Sequence, residues 1–342
     1  MSLAEALKRV VGGARLTADE MTAAFGDIVD GRGTDAQIAG FAVALRMRGE
    51  DSAEIAAAAK VMRERATRVQ VAASEFVDTC GTGGDGAGTF NVSTTAAFVV
   101  AACGLPVAKH GNRGVSSRSG STDVLRELGV DVDAPLDVVE AAIASAGIGF
   151  LNAPLYHGAL KHAANARKEI GVRTFFNLLG PLANPAGAPF QVMGIYDGAL
   201  LENVALALAA LGTRGALVVH GNDGLDEVTL TTTTRIAHVD AAGSVTLSEL
   251  DPRDLGLSLC PIAALKGGDP AENAAITRAI LGGERTPRRD AVALNAAAAL
   301  VAANRGSWGE ALGAAPRAIG SGAAAAKLDA LVAATARKPA RT

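Results

Sequence analysis

The sequence predicts an α/β protein, with a small N-terminal helical domain and a larger domain built on a mostly parallel sheet. Three observations carry that expectation. The first 70 residues read as punctuated helices, and from Phe76 onward short β-prone runs alternate with amphipathic helical patterns. Two glycine-dense polar loops, residues 78–94 and 109–123, each follow an apolar run and lead into a helix. Alternation of this kind implies a parallel sheet covered by helices on both faces.

The helical start is legible from its caps. Thr17, Thr34 and Asp51 each stand three residues before Glu20, Gln37 and Glu54, which is the capping-box spacing. Gly12-Gly13, Gly31 and Gly49 end the preceding helices. Ile38, Phe41, Ala42 and Leu45 fall on one helical face, as a small bundle requires. No catalytic constellation lies here, so residues 1–72 read as a packing and association domain, and 73–342 as the domain that carries the chemistry.

Strands are expected at Phe76–Thr79, Val107–Lys109, Ile148–Leu151, Phe190–Tyr196 and Ala216–His220. Helices are expected between them at Ser93–Ala102, Ser121–Leu128, Leu136–Ala146, Gly158–Ile170 and Leu200–Leu211. Residues 235–248 read as a hairpin or edge strand, and the chain from Asp269 as helical. The apolar stretch 174–186 is broken by Gly180, Pro181 and Pro185, so it reads as a segment crossing between the domains.

Composition excludes several classes. With 32 basic and 35 acidic residues and no basic block, nucleic acid is not the expected partner. No apolar run reaches the roughly 18 residues of a membrane helix, and no signal peptide is visible. The three cysteines, Cys80, Cys103 and Cys260, have no metal spacing and read as buried thiols of a reducing cytoplasm.

The loops point to a phosphate-bearing ligand, because many backbone N–H groups stand free of bulky side chains. Gly81, Gly83 and Gly86 fit a dinucleotide fingerprint, but no acid follows about 20 residues later. A P-loop is excluded because Ala87 occupies the position of its lysine. A third loop, residues 220–227, carries the adjacent acids Asp226 and Glu227. A turn with solvated acids is the bland alternative there. All three loops follow predicted strands, and ligands bind open parallel sheets beyond the carboxyl ends of the strands. Convergence of two phosphate-type loops on a carboxylate pair favours a hard divalent cation.

Seven motifs in order then resemble one family. They are DTCGTGGDG at 78–86, NVST at 91–94, KHGNR at 109–113, SGSTDVL at 119–125, Ala166-Arg167-Lys168, FNLLGPLANP at 176–185 and HGNDGLDE at 220–227. The chain is similar over nearly its whole length to anthranilate phosphoribosyltransferases of tryptophan biosynthesis. The resemblance implies the nucleoside phosphorylase/phosphoribosyltransferase-like fold, a homodimer joined through the helical domains, and Mg²⁺; the thiols place it in the cytoplasm. It implies that Gly81, Gly84, Asp85, Thr89, Asn91, Val92, Ser93 and Thr94 line the phosphoribosyl pyrophosphate site. Lys109, His110, Gly111, Asn112, Arg113, Gly114, Val115, Ser116, Ser117 and Ser121 complete it. Gly81, Asn112 and Arg167 are implied as anthranilate contacts, and Ser93, Asp226 and Glu227 as metal ligands. Gly114, Arg118 and Thr122 are small departures from the family pattern, and none removes a polar group that the chemistry needs.

That chemistry builds positive charge on ribose as pyrophosphate leaves. Lys109, the loop amides and a cation can neutralise the leaving group. Arg167 can grip a carboxylate and so place the nucleophile. An aniline-type amine needs no strong base, and His110 is the candidate to take the departing proton. His220 is expected to shape its turn, whereas His157 and His162 share no helix face and are not expected as ligands. A pyrimidine nucleoside phosphorylase and a non-catalytic nucleic-acid-binding relative are the alternatives. The paired acids weigh against the first and the charge balance against the second.

Overall fold

The protein is described by a computed structural model that covers residues 1–114 and 118–336. Val115, Ser116 and Ser117 of the expected phosphate site therefore lie outside the described residues.

Four helices open the chain: α1 (Leu3–Val11), α2 (Ala18–Val29), α3 (Asp35–Arg48) and α4 (Ser52–Arg65). All three expected capping boxes form, and Ser2 with Glu5 makes a fourth. Then follow β1 (Val77–Gly81), α5 (Val92–Ala102), β2 (Val107–Gly111), α6 (Ser121–Glu127), α7 (Leu136–Ala146) and β3 (Ile148–Asn152). Next come α8 (Ala153–Tyr156), α9 (Lys161–Ile170), α10 (Phe176–Leu182), β4 (Phe190–Gly194), α11 (Leu201–Ala210) and β5 (Gly215–Gly221). The hairpin β6 (Thr234–Val239) and β7 (Val245–Leu250) precedes α12 (Pro270–Leu281), α13 (Pro287–Ala302), α14 (Trp308–Gly320) and α15 (Ala323–Thr335).

The seven strands form one sheet in the order β3-β2-β1-β4-β5-β6-β7. The first five are parallel, and β6 and β7 add antiparallel at one edge. Alternate side chains feed two cores, as the two-residue period of a strand requires. Val192, Leu217 and Val219 join the core beneath α5 and α12–α15. Met193, Ala216 and Val218 face the opposite core, shared with α1–α4 and α9–α11. Strand order reverses between β1 and β4, which puts the binding crevice beyond Gly81 and Gly194.

The segment expected to cross between the domains carries a short helix, α10. Pro181 stands in its last turn, and its own carbonyl is taken by Gln191 Nε2 at 2.8 Å. Phe175 meets Phe25 and Phe41 of the bundle edge-on, at 5.9 and 6.0 Å between ring centroids. Truncating so buried a ring costs about 3–5 kcal/mol. Of the cysteines only Cys80 is fully buried; Cys103 and Cys260 are half-buried, and all three are free thiols.

Candidate active site

Each expected loop leaves the carboxyl end of a parallel strand. Gly81 ends β1, Gly111 ends β2 and Gly221 ends β5. The closeness of the third loop depends on missing side chains. A Cβ on Gly194 would lie 1.6 Å from the Asp226 carbonyl oxygen, and one on Gly81 would lie 2.7 Å from Asp226 Oδ2. Only glycine at those strand ends lets the acidic loop fold over the sheet.

Both acids are then tied to the first loop. Gly83 N–H donates to Asp226 Oδ2 at 2.6 Å, and Ser93 N–H donates to Glu227 Oε1 at 3.2 Å. Glu227 thus caps the first turn of α5, where the helix dipole favours negative charge. Asn91 is the residue before that turn, but its side chain makes no cap bond. Instead its Oδ1 accepts from Ser119 Oγ at 3.3 Å and from Asn273 Nδ2 at 3.0 Å. Asn91 so joins the two phosphate-type loops to α12. Ser119 belongs to a recognised motif, whereas Asn273 escaped the sequence reading. Its only signal is a further glycine-acid cluster, Gly267-Gly268-Asp269, just upstream.

Lys109 is buried, and its Nζ donates to the Thr79 carbonyl and, at 3.4 Å, to Ser93 Oγ. Burial pulls its ammonium below the usual lysine range, while Asp78 beneath it works in the opposite direction. Asp78 is itself fixed: it accepts from His110 N–H at 3.0 Å and from Asn184 Nδ2 at 2.8 Å. Burial raises the Asp78 carboxyl to about 6. Asn184, from the LANP end of the crossing segment, therefore anchors the start of the second loop.

That loop is pinned to α6 farther on. Ser121 Oγ accepts from Asn112 N–H at 3.2 Å, and Asp123 Oδ2 accepts from Gly114 and Gly120 N–H, both at 2.9 Å. Arg113 is exposed above it. In the first loop Gly84 is left-handed, at φ 74°, Asp85 Oδ1 accepts from Ala87 N–H at 3.0 Å, and Thr89 bridges to Lys266. Val92 and Thr94 are buried behind the first turn of α5.

The electrostatics concentrate at the acids. Burial raises both Asp226 and Glu227, and Asp85 pushes each further. Lys109 pulls Glu227 back only in part, and the pair offers only hard oxygens, which suits a divalent cation. Among the described residues, no three His, Cys, Asp or Glu side chains close a metal site alone. A cation at Asp226 and Glu227 must take further oxygens from substrate or water.

Arg167 lies on α9 with its guanidinium 5.4 Å over the Phe176 ring. Burial lowers its pKa, and among the described residues it forms no ion pair. His110 is the one candidate that the geometry disfavours as a base. Its ring stacks edge-on against His157 at 5.0 Å, its Nε2 is buried without a partner among the described residues, and burial draws its pKa down to about 3. A group so weakly basic stays neutral and holds a proton poorly. His162 packs against Gly31 and His220 Nδ1 meets the Ile195 carbonyl at 2.8 Å, so both serve structure.

Residues 4–66 match the helical bundle domain of a glycosyl transferase family, and residues 73–325 match its a/b domain. The anthranilate phosphoribosyltransferase of Syntrophobacter fumaroxidans is 53% identical over 96% of this chain and 97% of its own length. The chain belongs to the anthranilate phosphoribosyltransferase family. The same enzyme from Moorella thermoacetica is also 53% identical, covering 96% of each chain. The Thermus thermophilus family member superposes with a TM-score of 0.91 at 45% identity, over 96% of this chain and 99% of that one. The Saccharomyces cerevisiae member in complex with PRPP and Mg superposes at 0.88 with 28% identity, over 97% of each chain. The family and its two-domain fold agree with the reading of the motifs. Neither the nucleoside phosphorylase nor the nucleic-acid-binding alternative gains support from these relatives.

Proposed function

We propose that this chain transfers the phosphoribosyl group of phosphoribosyl pyrophosphate to the amine of anthranilate, releasing pyrophosphate, as a step of tryptophan biosynthesis. The observation that carries the reading is the convergence of the glycine loop, the first turn of α5 and the Asp226–Glu227 pair beside Lys109. Relatives that bear this activity in their names match over nearly the full chain.

In this reading the amides of residues 81–94 and the Lys109–Ser121 loop hold the phosphates, and Lys109 faces the leaving group as charge accumulates there. Ser93, Asp226 and Glu227 would hold Mg²⁺, which when bound supplies positive charge to the pyrophosphate. Arg167 takes the anthranilate carboxylate, with Gly81 and Asn112 as the further contacts, and so fixes the amine toward the anomeric carbon. The amine is unprotonated at neutral pH, and water rather than His110 receives its proton.

Residues 1–72 and 73–342 serve as association and chemistry domains, with the crossing segment 174–186 packed against the first. The exposed apolar side chains of Val11 and Met47, 70% and 83% accessible, support a homodimer joined through the bundle. The expected location is the cytoplasm; among the described residues no helix is long and apolar enough to cross a membrane. Loss of anthranilate fluorescence with phosphoribosyl pyrophosphate and Mg²⁺ tests the activity directly. No loss at micromolar protein would overturn it.

A further inference from the structure

We infer that Arg173 is a positioning residue for the pyrophosphate loop, clamping the Gly83–Gly84 backbone from above with Tyr196 as its platform. The inference rests on the proposed reading of that loop as the pyrophosphate cradle.

Arg173 lies between α9 and α10, outside every motif used to assign the site. Its Nη1 donates to the Gly83 carbonyl at 2.7 Å, and its guanidinium lies 4.6 Å over the Tyr196 ring. The contact with the loop is as close as a glycine permits. Gly84 is left-handed, and a Cβ there would lie 1.1 Å from Arg173 Nη2. Gly84 thus leaves room for the guanidinium as well as for its own backbone turn.

The clamp reaches the candidate metal ligands through one residue, Gly83. Arg173 holds the carbonyl of Gly83, and the N–H of the same residue donates to Asp226 Oδ2. Tyr196 secures the loop a second time, because its N–H donates to Thr82 Oγ1 at 3.0 Å. Arg46 of α3 also lies over this ring, 5.8 Å from its centroid, and pairs with Asp197 at 2.9 Å. A continuous chain of contacts therefore runs from the helical bundle through Tyr196 and Arg173 to the loop. A planar, always-charged fork that both stacks and donates suits this place better than a flexible ammonium.

Initial rates against each substrate, Mg²⁺ titrations and melting curves on the full chain test the inference. Arg173→Ala should raise the KM for phosphoribosyl pyrophosphate roughly tenfold or more, as expected for loss of a charge-assisted hydrogen bond. The Mg²⁺ concentration for half activity should rise with it, while the anthranilate KM and the melting temperature stay close to wild type. Arg173→Lys should recover part of the phosphoribosyl pyrophosphate KM, and Tyr196→Leu should reproduce the defect in weaker form. A KM for phosphoribosyl pyrophosphate unchanged in Arg173→Ala would sink the inference alone. Equal loss for both substrates with a lowered melting temperature would also sink it, since that marks a general structural role. Wild-type protein without turnover would remove the functional reading and this inference together.

Discussion

The stacked pair His110–His157 predicts a specific acid instability. Both side chains are buried, with 4% and 8% exposure, and their Nε2 atoms have no hydrogen-bond partner among the described residues. Burial lowers His110 to about 3, with the charge of His157 adding to it, and lowers His157 to about 4. In the unfolded chain each titrates near 6.5. A base whose folded pKa is depressed contributes stability that is full above the unfolded value and lost as pH falls toward the folded one. One pH unit between the two values is worth about 1.4 kcal/mol per group. Between pH 7 and pH 5 each histidine should therefore remove about 2 kcal/mol of stability. The raised carboxyls of Asp78, Asp226 and Glu227 act in the opposite sense, so the comparison must be differential. His157→Phe keeps a ring against His110 and deletes one titrating base. Urea unfolding at pH 5, 6, 7 and 8 should show the variant losing about 2 kcal/mol less than wild type over the range from pH 7 to pH 5. Parallel curves for the two proteins would refute the neutral, buried pair, and with it the case for removing His110 from proton transfer.

Three further outcomes follow from the site and the bundle. Arg167→Ala should lower kcat/KM for anthranilate by roughly ten- to a hundredfold, the worth of a charge-assisted contact. Steady-state kinetics in which only the phosphoribosyl pyrophosphate KM moves would assign Arg167 to the other substrate. Asp226→Asn combined with Glu227→Gln should abolish turnover mainly through kcat, with circular dichroism unchanged and partial recovery at high Mg²⁺. Near wild-type rates in that double variant would leave the acids as turn residues only. Sedimentation at micromolar protein should give a dimer, and Met47→Glu, at an exposed position on α3, should weaken it; a wild-type monomer would remove the association role of residues 1–72.

The parallel sheet was readable because its strands are continuous apolar runs between glycine turns, as burial on both faces demands. The bundle was readable because Thr17, Thr34 and Asp51 announce its helices before any tertiary contact exists. The helix within segment 174–186 was not readable, since Gly180 and Pro181 argue against one locally. Packing of Phe175 against Phe25 and Phe41 and the bond from Gln191 to the Pro181 carbonyl outweigh that preference. Within the site, glycine, lysine and paired acids were visible as residue types. Asn273 and Arg173 were not, because each meets the loops from 182 and 90 residues away in sequence. The setting of His110 was hidden for a related reason: its place in a substrate motif suggested a base, while its burial against His157 is a purely tertiary fact.

The most direct test of the proposed reaction is an initial-rate assay of purified protein with anthranilate and phosphoribosyl pyrophosphate, run with Mg²⁺ and again with a chelator in excess. The account predicts stoichiometric formation of phosphoribosylanthranilate and pyrophosphate with Mg²⁺, and loss of turnover in the chelator. Undiminished turnover in the chelator would contradict the role given to Ser93, Asp226 and Glu227. Absence of product under both conditions would contradict the transfer reaction itself.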